Sequence, residues 1–174
     1  MTEPMSSADW RDDIFAALKA ADIRQVGYVP DAGHSRLIER VHADPQIRAV
    51  SLTTEEEGIA LAAGAWLGGQ RAALLMQSSG VGNCINMLSL AKSCRFPLTM
   101  LVTMRGEWAE FNPWQVPMGL ATEPALKAIG LRVLRAETPE ELVDMVGSGA
   151  ALAYEADQQV AILISQRMLA KKVW

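Results

Sequence analysis

The sequence has 174 residues, half of them apolar and 21% charged, which is the size and composition of one globular domain with one core. Its net charge of −4 is spread along the chain with no basic stripe, which argues against nucleic-acid binding. The apolar runs reach about ten residues, too short to cross a bilayer, and the polar first nine residues do not read as a leader. The expectation is a cytoplasmic chain forming a single domain over 1–174, with 1–8 flexible. Cys84 and Cys94 lie far in sequence from His34 and His42, so no metal site is expected and both cysteines read as reduced, buried thiols.

Asp9 is placed to cap an amphipathic helix running to about Ala21, with Ile14, Leu18 and Ile23 on one side. A short strand over 25–29 stops at Pro30, and the loop 30–34 leads into a helix over 35–43. A second strand, 47–52, precedes a helix over 55–67 that Gly68-Gly69 closes. A third strand, 72–76, gives way to Ser78-Ser79-Gly80-Val81-Gly82 and a helix to about Cys94. The run 97–104 is continuously apolar and reads as the most buried strand. After it come a long irregular loop over 105–119, a short helix over 124–129, a strand at 132–134, a long helix over 139–155 and a last strand over 160–165. This alternation predicts a three-layer, doubly wound α/β fold: a six-stranded, mostly parallel sheet with helices on both faces. Sites in such sheets lie beyond the carboxyl ends of the strands, which here are the loops at 30–34, 53–55, 77–83 and 105–118.

Two helices are too apolar for a surface layer. Residues 58–68 carry no polar side chain on any face, and 81–91 are nearly as apolar. A surface helix shows a polar stripe. Either a second chain covers these helices, or both are buried within a compact monomer.

Thr53-Thr54-Glu55-Glu56-Glu57 opens the first of them. Thr53 with Glu56, or Thr54 with Glu57, fits a capping box, and acidic residues suit a first turn. Glu55 is also in register with Ile59, Ala62 and Trp66, so it points along an apolar stripe at a strand end, where a desolvated carboxyl is suited to sharing a proton. Glu56 and Glu57 read as capping residues.

With these residues in place, the sequence resembles the pyrimidine-binding domain of thiamine diphosphate-dependent enzymes. Glu55, followed nine residues later by Gly64 with small and apolar filling, carries the first part of the likeness. Met76-Gln77-Ser78-Ser79-Gly80-Val81-Gly82-Asn83, with Asn86 and Ser89-Leu90, is similar to phosphonopyruvate and sulfopyruvate decarboxylases. So are Val29-Pro30-Asp31, and Arg105-Gly106-Glu107 followed by Asn112-Pro113 and Gln115. The triple Glu and the segment 112–119 resemble the separate α subunit of the sulfopyruvate enzymes.

The resemblance implies a 2-oxoacid decarboxylase subunit in which Glu55 shares a proton with the cofactor's aminopyrimidine ring. It implies that Gln77, Ser79, Gly80 and Asn83 line the cofactor side, against the plain alternative of turn chemistry and capping. Asp31 and His34 lie in a loop that, in this family, reaches a neighbouring active site. His34 is a proton relay on that reading and a surface turn histidine on the other. Arg105 and Gln115 are candidates for the substrate's anionic end, or Arg105 forms an ordinary ion pair. The loop with Trp108, Phe111 and Trp114 reads as a lid or a subunit contact. The family's Gly-Asp-Gly motif for Mg²⁺ and diphosphate is absent from the sequence, so the resemblance places thiamine diphosphate's diphosphate end and Mg²⁺ on a separate β subunit. Association of α chains in even number is implied with it. Sulfopyruvate is the first substrate expected, with phosphonopyruvate or another 3-substituted pyruvate as the alternative.

Other readings fit less well. Gly80-Val81-Gly82 follows a strand, but Ile85 stands where a dinucleotide fingerprint needs its third glycine. Met76 replaces the first glycine of a hydrolase elbow, and both histidines precede the serine. A non-catalytic partner that kept only the fold remains open, with the retained Glu55 against it.

Overall fold

A computed structural model describes residues 9–169; the expectation that 1–8 are flexible falls outside them. The elements are α1 (Trp10–Ala20), β1 (Ile23–Tyr28), α2 (Ser35–Ala43), β2 (Arg48–Ser51), α3 (Glu55–Leu67), β3 (Arg71–Gln77), α4 (Ser78–Cys84), α5 (Leu88–Cys94), β4 (Leu98–Thr103), α6 (Val116–Ala128), β5 (Arg132–Ala136), α7 (Pro139–Ala156) and β6 (Gln159–Ile164). All pairings are parallel and the strand order is β2-β1-β3-β4-β6-β5, so the doubly wound α/β architecture is present.

β4 and β6 are buried along their whole length and β3 is buried except at its two ends, as strands covered on both faces must be. One layer packs Ile14, Leu18, Leu37, Val41, Leu142 and Val146 of α1, α2 and α7 against the sheet. The opposite layer packs Ile59, Ala62, Val81, Cys84, Leu88 and Leu126 of α3 to α6. Asp9 caps α1 by accepting from the Arg11 N–H. Among the described residues no helix is long and apolar enough to cross a membrane.

Three local expectations are corrected. The helix over 78–94 is two, because the chain tightens at Asn86 and Met87 to hydrogen bonds three residues apart, Ser89 N–H to Asn86 O and Leu90 N–H to Met87 O. Ile85 and Met87 keep right-handed helical dihedrals, so the apolar spacing runs on across the break. The irregular loop ends at Val116, eight residues before the expected helix at 124, because neither proline stops α6. Pro117 lies in the first turn, where the missing N–H has no role. Pro124 deprives the carbonyl of Leu120 of its donor, and Leu120 is 69% exposed. Neither capping box forms on α3: Thr54 makes no side-chain cap, and Glu57 alone reaches back, to the Thr53 N–H at 2.9 Å.

The described residues do not enclose α3. Ile59, Ala62 and Ala65 face the sheet, while Ala60, Gly64 and Leu67 are exposed, Leu67 by 76%. The stripe below Glu55 is therefore the chain's own core contact, and the uncovered apolar stripe is the one beside it. Cys84 is buried as expected, but Cys94 is exposed, since α5 ends just above the sheet's amino edge.

Candidate active site

The strand order reverses between β1 and β3: the chain leaves β1 for β2 on one side and returns to β3 on the other. Crevices open at such points beyond the carboxyl ends. Asp31, three residues after β1, fills this one. Its Oδ1 accepts from Gln77 Nε2 at 3.1 Å, and its Oδ2 accepts from Thr103 Oγ1 at 2.6 Å and from the Gly33 N–H at 3.1 Å. Gln77 and Thr103 end adjacent strands in register, so one carboxylate ties the first loop to two strand ends. Gln77 Oε1 also accepts from Ser79 Oγ at 2.9 Å. Thr103 was not foreseen, although its place opposite Gln77 at a strand end is a usable signal.

His34 does not stand at the surface. It is 2% exposed, and its Nε2 meets the Leu101 carbonyl at 3.2 Å. Burial pushes its pKa down, against the opposing pull of Asp31 and the carbonyls of Leu101 and Met76. The loop carries the ring inward because β4 lies beneath it, so the surface-turn reading does not describe His34.

Glu55 begins α3 on the other side of the crevice. Its Oε2 accepts from Asn83 Nδ2 at 2.8 Å. Its Oε1 lies over Gly80, where an added Cβ would collide with it. Only a residue without a side chain lets the carboxylate settle against the turn of α4. Cys84, one turn further, is inert: burial first, then the charges of Glu55 and Glu56, push its thiol up to about 12.

Arg105 does not present a free cation. Its Nε and Nη2 donate to the two oxygens of Glu110 at 2.8 and 2.6 Å, with 9% and 4% of the two side chains exposed. A paired guanidinium of this geometry has its charge already answered. Glu110 further accepts from the N–H groups of Gly106 and Asn112 and from Gln166 Nε2. These hydrogen bonds hold the segment 105–112 as a wall. Gln115 opens the next turn, and its Oε1 is buried with no hydrogen bond among the described residues. Trp114 stays 86% exposed. Asp31, Gly33, Arg105, Trp108, Phe111 and Gln166 line a cavity of about 140 Å³. Neither Glu110 nor Gln166 is legible in the sequence, because their roles depend on partners brought together by the fold.

The Arg105 guanidinium, helped by the N–H groups of Asn112 and Gly106 and the Gln166 amide, outweighs burial and holds the Glu110 carboxyl down to about 2. A depressed pKa stabilises the folded state fully above the ordinary glutamate range, and that contribution is lost as pH falls towards 2. Glu110→Gln is therefore expected to lower stability at neutral pH and to flatten its decline in acid. Urea unfolding at a series of pH values checks this; parallel curves for the two proteins would contradict it.

Among the described residues no group of three or more His, Cys, Asp or Glu could hold a metal ion. The site instead presents a carboxylate with one oxygen held by an amide and the other over a glycine, at the mouth of an α/β crevice. That defines an α/β domain with one fixed carboxylate at the crevice where its strand order reverses.

The comparisons agree. A family model described as thiamine pyrophosphate enzyme, N-terminal TPP binding domain, matches residues 9–112. The sulfopyruvate decarboxylase α subunit of Methanothermobacter thermautotrophicus is 37% identical over 157 residues, covering 90% of this chain and 95% of that one. The subunit of the same name from Methanocaldococcus jannaschii is 34% identical over 151 residues, 86% of this chain and 89% of that one. A phosphonopyruvate decarboxylase of Streptomyces viridochromogenes is 40% identical over 99 residues, 56% of this chain but 25% of that protein. The solved 2-oxoglutarate:ferredoxin oxidoreductase of Magnetococcus marinus superposes with a TM-score of 0.75 over 91% of this chain and 29% of that one; at 17% identity the likeness is one of fold. The chain belongs to the thiamine pyrophosphate enzyme N-terminal domain family.

Proposed function

We propose that this chain is the pyrimidine-binding subunit of a two-subunit, thiamine diphosphate-dependent decarboxylase that converts sulfopyruvate to sulfoacetaldehyde and carbon dioxide. The observation that carries the reading is the Glu55 carboxylate, fixed by Asn83 at 2.8 Å and laid over Gly80. The bound cofactor supplies a carbon nucleophile for the 2-oxo carbon and accepts the electron pair left by carbon dioxide. This chain's part is proton management and shape. Glu55 shares a proton with a ring nitrogen of the aminopyrimidine, Asn83 holds the carboxylate in place, and Gly80 leaves it room. Gln77 and Ser79 continue the same rim.

We assign the 2-oxoacid to the cavity beside Asp31 and Arg105, whose lining does not include Glu55, Gly80 or Asn83. Arg105 enters as the Arg105–Glu110 pair, so its remaining donor serves orientation more than charge neutralisation; any part for Gln115 falls to its amide N–H, since its Oε1 is buried. The β subunit brings the diphosphate and Mg²⁺ site, for which this sequence has no Gly-Asp-Gly. The open apolar stripe Ala60, Gly64 and Leu67 supports coverage by another chain, with α chains also associating. Cytoplasmic location is part of the same reading. Phosphonopyruvate is the second substrate considered, on the 40% identity to the Streptomyces enzyme. A non-catalytic partner role has the intact Glu55–Asn83 pair against it.

Co-expression with candidate β subunits from the same genome tests the reading. Decarboxylation of sulfopyruvate with thiamine diphosphate and Mg²⁺ is expected from the mixture and not from this chain alone. Faster turnover of phosphonopyruvate would reassign the substrate, and no activity with any stable complex would favour the non-catalytic role.

A further inference from the structure

Beyond β6 the chain makes a short 3-10 turn, Gln166–Met168. Gln166 there binds a loop far away in sequence. Its Oε1 accepts the N–H groups of Glu107 at 3.1 Å and Trp108 at 3.0 Å. Its own N–H donates to Glu107 Oε1 at 2.8 Å. Its Nε2 donates to Glu110 Oε2 at 2.9 Å, the oxygen that also receives Arg105 Nε at 2.8 Å. The second oxygen of Glu107 is taken by Arg135 Nη2 at 2.7 Å, which secures the loop to β5. An amide side chain is needed here: one end accepts two N–H groups while the other donates to a carboxylate. A carboxylate lacks the donor and a lysine lacks the acceptor.

We propose that Gln166 is a positioning residue for the decarboxylation: it sets the loop 105–112 and, through Glu110, the orientation of Arg105, so that the cavity wall stands formed before the 2-oxoacid arrives. This rests on the reading of that cavity as the 2-oxoacid site. A wall that is already ordered does not charge its ordering entropy to binding, so the effect of Gln166 appears in KM rather than in kcat.

Two variants of the full chain test this. Gln166→Met keeps length and removes every side-chain hydrogen bond. Gln166→Glu keeps the acceptor for Glu107 and Trp108 but turns a carboxylate oxygen on Glu110. Site-resolved amide hydrogen exchange reads the loop, and steady-state kinetics of the complex with its β subunit reads the cavity. In Gln166→Met the Glu107 and Trp108 amides are expected to exchange at least about tenfold faster. Both variants are expected to raise KM about tenfold with kcat within about twofold. Exchange is expected to rise less in Gln166→Glu than in Gln166→Met. Unchanged exchange in Gln166→Met would overturn the clasp, and faster exchange with unchanged KM would reduce Gln166 to a structural role. If the wild-type complex decarboxylates nothing, the functional reading falls by itself, and the exchange rates still decide whether Gln166 holds the loop.

Discussion

Glu55→Gln is expected to leave the chain folded and to lower decarboxylation by the reconstituted complex at least about a hundredfold, since a positioned proton-transfer group contributes roughly 10²–10⁴ in rate. Glutamine has the same length and an oxygen that can accept from Asn83 as Glu55 Oε2 does at 2.8 Å. What it loses is the ability to hold or share a proton. The cost to stability is that of one charge in the first turn of α3, about 0.3–1 kcal/mol, small beside the roughly 5–15 kcal/mol that separates folded from unfolded chains. Activity and thermal unfolding should therefore separate: turnover collapses while the midpoint moves little. A variant that keeps more than about a tenth of wild-type turnover would remove Glu55 from proton transfer and leave it as a helix-capping residue.

The position of Glu55 is legible in the sequence because its clues are local: a strand end, threonines before a helix, and an apolar stripe in register with it. Its part in cofactor binding, and those of Gly80 and Asn83, come only with the resemblance, since local clues fit capping and turn chemistry equally well. The side chains deeper in the site could not be located that way. His34 reads as a turn histidine until β4 is laid beneath it and the Leu101 carbonyl receives its ring. Arg105 reads as an anion receptor until Glu110, five residues on, curls back to pair with it. Both are questions of which way a loop folds, and hydropathy spacing carries no information on that. Gln166 is further out of reach, because its partners Glu107 and Trp108 are 59 and 58 residues away and meet it only once β4 and β6 are neighbours. The mistaken loop over 116–123 has a different origin. Pro117 sits in the first turn of α6 and Pro124 frees only the carbonyl of an exposed residue, Leu120, so the helix runs through both.

Gly106→Ala is expected to destabilise the chain by about 3 kcal/mol and to lower the unfolding midpoint by about 10 °C. Gly106 has φ +75°, a conformation that costs an L-residue about 1–2 kcal/mol. The added Cβ would also collide with the Gln115 carbonyl oxygen and lie 2.7 Å from Val116 Cα. These are backbone atoms at the start of α6, so no side-chain rotation relieves the contact. Gly119 presses from the other side, its Cβ direction meeting the Arg105 carbonyl oxygen. The strand-end residue Arg105 and the first turns of α6 can therefore approach only through glycines on both sides. Separating them would also shift Arg105 relative to Glu110 and widen the cavity wall. Gly64→Ala is the control: nothing lies within 4 Å of its added Cβ, and alanine in a helix interior gains about 0.5–1 kcal/mol over glycine. Thermal unfolding of the two variants beside wild type decides the matter. If Gly106→Ala melts with wild type while Gly64→Ala melts higher, the close approach of 105–106 to 115–116 is not a determinant of the fold, and the loop 105–112 is held by its hydrogen bonds alone.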